Sequence, residues 1–486
     1  MRSVNKSARG AAVGAFLALA VSGCTTVGPN FARPAAPRTS SYAMAGDAVP
    51  TALALALDAH PTGPWWQALG STDLNAVMTL ALSDNQTLAA AEATLDHARA
   101  ETRNAQAARS PMVTGSAGAV RNRINTSVFG ISGFPSPTVN LFSVGGSVSY
   151  DLDLAGGARR GVEAAAAAQA AEGYRADAAY LTLTGNVAMQ AVRIAGLRDE
   201  ITTLHDITVD DQAIIDIQDK AEAVGGSSSA QGVGGRAQLA EDEALMPALR
   251  QSLALARHAL AVLVGQPPAQ WTAPDFAFSG FTPPARIPVS LPSSLVRQRP
   301  DILAAEADLH ADTARIGVAT AQLYPDIRLT ADFAQTALTP GSLFGYGASG
   351  WSFGPKLTTP VFNGGAIWAQ KRAAEAQARV SLARYRQTVL TAFGQVADVM
   401  TALAHDDELA AADTRVEAQA QSGLHDAQSA YDLGGGARLA VEQAQLGLDR
   451  ARLNRIDSQG RRLLDVVQLY AATSAVDWPK ASAGHP

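Results

Sequence analysis

The chain has 486 residues, a formal charge of -6, 47% apolar residues and 17% charged ones. That balance offers no basic surface for nucleic acid, and one cysteine excludes an internal disulfide. The eight histidines are scattered, without a His-Glu-x-x-His spacing, so the residues indicate neither a metal site nor a cofactor.

The N-terminus reads as an address. Arg2, Lys6 and Arg9 precede an apolar run over 11–21, and Ser22, Gly23 and Cys24 follow. A basic start, a short apolar core and small residues at a cut site make 1–23 a secretory signal. It is too short to cross a bilayer as a helix. Val21-Ser22-Gly23-Cys24 resembles a lipobox, in which cleavage before the cysteine leaves Cys24 to receive a lipid. Lipid chains add membrane affinity with each buried methylene, so Cys24 tethers the mature N-terminus. Thr25 stands where an inner-membrane retention signal has aspartate, which points to the outer membrane. The stretch 24–64, rich in Pro, Ala and Ser and without periodicity, reads as an extended tether. Trp65 and Trp66 close it as an apolar plug against the body.

From 74 to 108 the pattern is helical, with Leu74, Val77, Ala81, Leu88, Leu95 and Ala98 on one side and Pro111 as the stop. Two strand-like segments follow. In the second, Val144, Val148, Tyr150, Leu152 and Leu154 alternate with Ser143, Ser147, Ser149, Asp151 and Asp153. Further along, Ile327, Leu329 and Phe333 alternate with Arg328, Thr330 and Asp332; Trp351, Phe353, Leu357 and Val361 alternate with Ser352, Gly354, Lys356 and Thr358. Segments of about ten residues with an aromatic band on the apolar face carry the signature of membrane-spanning strands. Four strands cannot close a barrel, and open edges in lipid leave backbone groups unpaired. Several chains must pool their strands. The Gly-, Pro-, Ser- and Asn-rich loops near 122–142 and 337–348 become the outward tips. Gly345-x-Gly347-x-x-Gly350 matches a dinucleotide fingerprint in letters only, because it precedes a strand and opens no helix.

Gly156-Gly157 and Gly364-Gly365 each launch a long helix without proline, over 158–224 and 366–433. Some 65 residues at 1.5 Å each reach roughly 100 Å. In the final helix, Leu446, Leu453, Gly460 and Val467 recur at intervals of seven, with Ile456, Leu463 and Tyr470 as a second row. That is a coiled-coil seam. The chain also repeats itself: Leu88, Glu92, Leu95 and Pro111 return as Ile302, Glu306, Leu309 and Pro325, each 214 positions on. Val187 matches Val396, 209 positions on, but Leu239 matches Leu439 at 200, which places nine extra residues of the first half in 225–235. This Gly- and Ser-rich insert falls at the far tip of the first helical hairpin. The domains expected are therefore 65–265 and 293–475 as tandem repeats, the proline-rich 266–292 as an equatorial linker, and 476–486 as a tail.

Together these residues resemble the TolC-like outer-membrane efflux proteins, in the lipoprotein branch that serves RND-type multidrug pumps. Arg299-Pro300-Asp301-Ile302 and Pro360-Val361-Phe362-Asn363-Gly364-Gly365 are the specific stretches, and the resemblance covers nearly the whole mature chain. It implies a fold that is mainly α with a membrane β part: a homotrimer sharing a twelve-stranded β-barrel, continued by a helical periplasmic tunnel. It implies a periplasmic adaptor and an inner-membrane RND-type transporter as partners, in contact with outer-membrane lipid. The tunnel narrows at the helical hairpin tips, here 431–443. Leu439 falls where this branch places an apolar gate residue, and Gln443 where it places an acid. Glu442 lies one position away, about 100° round the helix, and Arg438 can pair with it at i, i+4. Leu239 corresponds to Leu439, and Asp242 and Glu243 supply acid near that level.

No nucleophile, base and orienting group are arranged for catalysis, so the chain is read as a passive duct for small molecules and not as an enzyme. An exit duct for type I polypeptide secretion stays open beside this reading. A structural coiled-coil surface protein explains the heptads but not the paired hairpins.

Overall fold

In this computed structural model, residues 26–37, 39, 41–42, 44, 55–57, 64–123, 125, 137–226, 228–282, 287–289 and 292–473 are described. The signal segment 1–23, Cys24 and the tail 476–486 lie outside them. Eight helices and six strands follow in chain order among the described residues. They are β1 (Leu55–Leu57), α1 (Thr72–Asp84), α2 (Gln86–Ala107), β2 (Met112–Arg123), β3 (Thr138–Asp151), α3 (Gly157–Ala223) and α4 (Ser229–Leu263). Then come β4 (Ile287–Val289), α5 (Pro292–Gln298), α6 (Pro300–Ala321), β5 (Asp326–Ala337), β6 (Ser349–Thr358), α7 (Ala366–Asp432) and α8 (Arg438–Thr473). The fold is mostly helical with one four-stranded sheet, as expected. Two compact units divide the chain, one formed by Met1–Pro34, Leu95–Glu172 and Ala305–Tyr385, the other by Ala35–Thr94, Gly173–Ala304 and Arg386–Pro486.

The first unit holds the antiparallel sheet, in the order β2-β3-β5-β6. Its register sorts the side chains. Val113, Val148, Ala331 and Phe353 lie in one row across all four strands, and Phe333 stands opposite Trp351 in the next row on that face. Thr114, Ser147, Asp332 and Ser352 form the alternate row. Thr114 and Ser147 share a 2.7 Å hydrogen bond, and Ser352 donates to Asp332 at 3.3 Å. Because side chains alternate along a strand, one face is apolar and the other polar. The apolar face stays open: Val113, Phe353 and Trp351 are 73%, 73% and 79% exposed. Strand β3 ends at Asp151 and β6 at Thr358, so Leu152, Leu154 and Val361, expected in strands, fall beyond them. Short 3-10 turns at Pro340–Ser342 and Tyr346–Ala348 carry the chain into β6 through the glycine-rich stretch that the sequence reads as a loop.

The strand-to-helix junctions need positive φ, which glycine adopts without steric cost. Gly156 (φ 77°), Gly364 (φ 63°) and Gly365 (φ 85°) supply it. Asp153 then caps α3, accepting from the backbone N–H of Ala158 at 2.8 Å and of Arg159 at 3.0 Å. The start of the tether is docked in this unit: the buried Arg160 guanidinium donates to the Val27 carbonyl at 3.1 Å and to Asn30 at 2.7 Å, and Phe31 stacks on His310 at 4.4 Å.

In the second unit the tether is more than a spacer, for Leu55–Leu57 pairs in parallel with Ile287–Val289. Three residues are too few to show a period in sequence. Trp65 and Trp66 are buried as the plug reading expects, 3% and 5% exposed, with Trp65 stacked on Tyr470 at 5.6 Å. Around them pack Leu74, Met78, Val187, Leu260, Phe276 and Val466. Burying each such side chain contributes about 1.5–3 kcal/mol. The single helix expected over 74–108 is two helices, broken at Asn85. Its amide donates to the Leu263 carbonyl at 2.8 Å while its Oδ1 accepts from the Leu88 N–H at 2.9 Å, so one side chain caps the second helix and ties it to α4.

Candidate functional site

The hairpin ends are built from equal parts. Helices α3 and α7 are 67 residues each, and both turn on a left-handed glycine, Gly225 (φ 77°) and Gly434 (φ 76°). Gly435 and Gly436 both donate to the Ala430 carbonyl at 2.9 Å, closing the end of α7. The returns differ. The nine extra residues expected to enlarge the first turn instead lengthen its return helix, because α4 starts at Ser229 and runs through 235. Gly232 is buried, and Arg236 reaches back to Asp219 of α3 at 3.0 Å.

This changes the level of the candidate residues. Leu439 is half-buried one residue into α8, whereas Leu239 lies ten residues into α4. At 1.5 Å per residue the difference is roughly 13 Å along the helix. Asp242 accordingly accepts from Arg450 at 3.2 Å, two turns deeper than Glu442. The acids at 242 and 243 are therefore not level with Leu439; an insertion that stays helical moves everything after it along the axis. Glu243 and Gln443 are both exposed. Glu442 is 9% exposed and is held by Arg438 at 2.5 Å. That is the i, i+4 pair read from the sequence, and it turns the acid inward.

The seam beside these ends holds carboxylates where apolar residues are expected. On α8 the row Ile456, Leu463 and Tyr470 is buried, and the same seven-residue spacing continues toward the turn as Asp449 and Glu442, 2% and 9% exposed. On α3, Leu197 and Leu204 are followed by Asp211, 5% exposed. Asp210 faces Asp449, with Glu442 and Asp206 nearby; burial and these charges push its carboxyl up to about 7. Asp211 faces Asp242 and is pushed up to about 6 by burial and that partner, against the pull of Arg450. Asp465 of α8 faces Asp406 of α7, and burial with that neighbour pushes it up to about 7. Of these acids the sequence reading names Glu442 and Asp242; it misses Asp210, Asp211, Asp406, Asp449 and Asp465, although the intervals Leu197-Leu204-Asp211 and Asp449-Ile456-Leu463 are visible in it.

Paired open sheet edges, an apolar sheet face and two very long helical hairpins are the parts of a membrane duct. A profile described as outer membrane efflux protein matches residues 77–266 and 291–475, and the chain belongs to that family. It is 29% identical over 465 residues to the cation efflux system protein CusC of Escherichia coli O6:H1, spanning 94% of this chain and 96% of that one. It is 26% identical over 457 residues to the probable outer membrane lipoprotein SilC of Salmonella typhimurium, covering 93% and 95%. The solved outer-membrane channel OprN superposes with a TM-score of 0.81 at 25% identity, over 93% of this chain and 99% of that one. The protein is an outer-membrane efflux channel component.

Proposed function

We propose that three copies pool their sheets into a twelve-stranded barrel and their hairpins into a tunnel, forming a passive exit duct for small molecules. The observation that carries this reading is the sheet: β2 and β6 are its two edges, and its apolar face is exposed along the strands. Unpaired edges in lipid cost several kcal/mol per group, and closure on neighbouring copies removes them. The tandem repeat of 65–265 and 293–475 is supported by the two separate stretches that the family profile matches. The probable lipoprotein name of SilC supports lipidation at Cys24, with 1–23 removed and 24–64 as the tether.

In this reading the protein does no chemistry and holds no cofactor. An inner-membrane RND-type transporter supplies the energy and a periplasmic adaptor opens the hairpin ends, where Leu439 is the apolar closure and the exposed Gln443 lines the approach; the buried Glu442 and the deeper Glu243 stand apart from it. Crosslinking of the detergent-extracted protein yields a threefold species, and planar bilayers show ion current; a monomer without current refutes the duct. Leu439→Ser raises single-channel conductance. Unchanged conductance removes Leu439 from the gate.

A further inference from the structure

The long helices are joined by face-to-face acids. Asp210 of α3 meets Asp449 of α8, Asp211 of α3 meets Asp242 of α4, and Asp465 of α8 meets Asp406 of α7. In two of the pairs the members are not equivalent. Asp449 accepts from Gln445 at 2.7 Å and from Arg452 at 2.8 Å, and Asp242 accepts from Gln238 at 3.0 Å and from Arg450 at 3.2 Å. Their opposite numbers receive nothing of the kind. The buried Oδ2 atoms of Asp210, Asp211 and Asp465 have no donor within reach. A buried carboxylate oxygen without a donor is costly, and two facing carboxylates repel. One proton on the donor-poor member removes both penalties, because its O–H then donates to the carboxylate opposite. No group of three acids, histidines or cysteines among the described residues is arranged to hold a metal ion in the proton's place.

We propose that Asp210, Asp211 and Asp465 each carry a proton shared with Asp449, Asp242 and Asp406, and that these three bonds, one between the hairpins and one between the arms of each, latch the long helices together until rising pH removes the protons. The surrounding charges make the latch one-directional. Asp210 also faces Asp206 on its own helix and Glu442 on α8, so its anion has like charges on both sides, while Arg452 and Arg438 are committed to Asp449 and Glu442. Asp211 has only Arg450 opposite, already bound to Asp242. Beside Asp406 stands Arg461, which is bound to Asp457. On deprotonation each proton passes to water and leaves a carboxylate pair of double negative charge, which at Asp449 and Asp211 stands in a seam position that a leucine ordinarily fills.

The direction follows from linkage. Carboxyls held above the ordinary aspartate value of 3.8 stabilise the closed seam fully below it, and that contribution is lost as pH rises through about 6 to 7. For each proton released on opening, the open-to-closed ratio rises about tenfold per pH unit between the ordinary and the raised value, and levels off above the raised one. The gate consequence rests on the duct reading above; the protons themselves do not.

Infrared titration of the detergent-extracted protein separates the two. The wild type retains a carboxylic-acid C=O stretch at about pH 6, well above ordinary aspartate titration, and the band fades toward about pH 8. In the variant D210N/D211N/D465N, whose amides donate to the same partners and preserve the fold, the band is absent. Asp449→Asn removes the facing charge from Asp210 and moves part of the band to lower pH, which a merely structural role does not do. A wild type without the band at about pH 6 overturns the proposal. In bilayers, open probability rises between about pH 5 and pH 8 for the wild type and not for the triple variant. A pH-dependent band with pH-independent current refutes the latch on the gate, and leaves the duct reading to the trimer test.

Discussion

The two helical hairpins are cut to one pattern and closed in two ways. Helices α3 and α7 have the same length and the same left-handed glycine at the turn. The first hairpin is bridged near its end by Asp219, about one turn before α3 stops, and Arg236, about two turns into α4, with Gly235 letting its return helix approach Ile215. In the second, Arg438 pairs with Glu442 inside its own helix and also meets the Tyr431 hydroxyl of α7, while ion pairs between the arms lie well back, from Glu417 to Arg452 and Arg455. Equal lengths therefore do not mean equal mechanics. The first end is fastened by an ion pair between its arms, whereas the second is joined near Leu439 by the Arg438–Tyr431 contact.

The largest test of this contrast concerns packing. Leu260 of the first hairpin is fully buried, and Leu260→Ala costs about 2–5 kcal/mol. Leu390 of the second is 61% exposed in the single chain, and Leu390→Ala costs less than about 0.5 kcal/mol unless a neighbouring copy covers it. Denaturant midpoints of both variants decide: matched losses show that assembly buries the α7 face and erases the difference. Next come the turns. Gly225→Ala and Gly434→Ala each place a side chain at positive φ and lower stability by about 1 kcal/mol. Unequal melting shifts break the equivalence of the two turns. The smallest effect is electrostatic. Arg236→Ala removes a half-exposed ion pair for about 0.2–1 kcal/mol, and high salt abolishes the loss. Arg438→Ala removes both the Glu442 pair and the Tyr431 contact across the arms, so conductance changes while the melting shift stays below that of Arg236→Ala; a larger shift reverses the comparison.

Much of the architecture was legible because helices and strands announce themselves by period. The long helices, read as 158–224 and 366–433, are found as Gly157–Ala223 and Ala366–Asp432, since glycine pairs start them and no proline interrupts. The Trp65–Trp66 plug could be read because two indoles at the end of a polar tether have nowhere favourable to go but inward. The break at Asn85 could not, because its cause is a carbonyl 178 residues away. The insert misled for a related reason. Glycine and serine disfavour helix locally, but contact with Ile215 and Asp219 holds 229–235 helical.

The sequence by itself determined the helix lengths, the strand faces, the glycine hinges and the family, because these depend on neighbours in the chain and on periodicity. Tertiary structure alone decided which acids face each other, which of two leucines stands near a hairpin end and which arm is fastened. Those depend on axial register between helices, and nine extra residues that stay helical shift that register although their local composition reads as a turn.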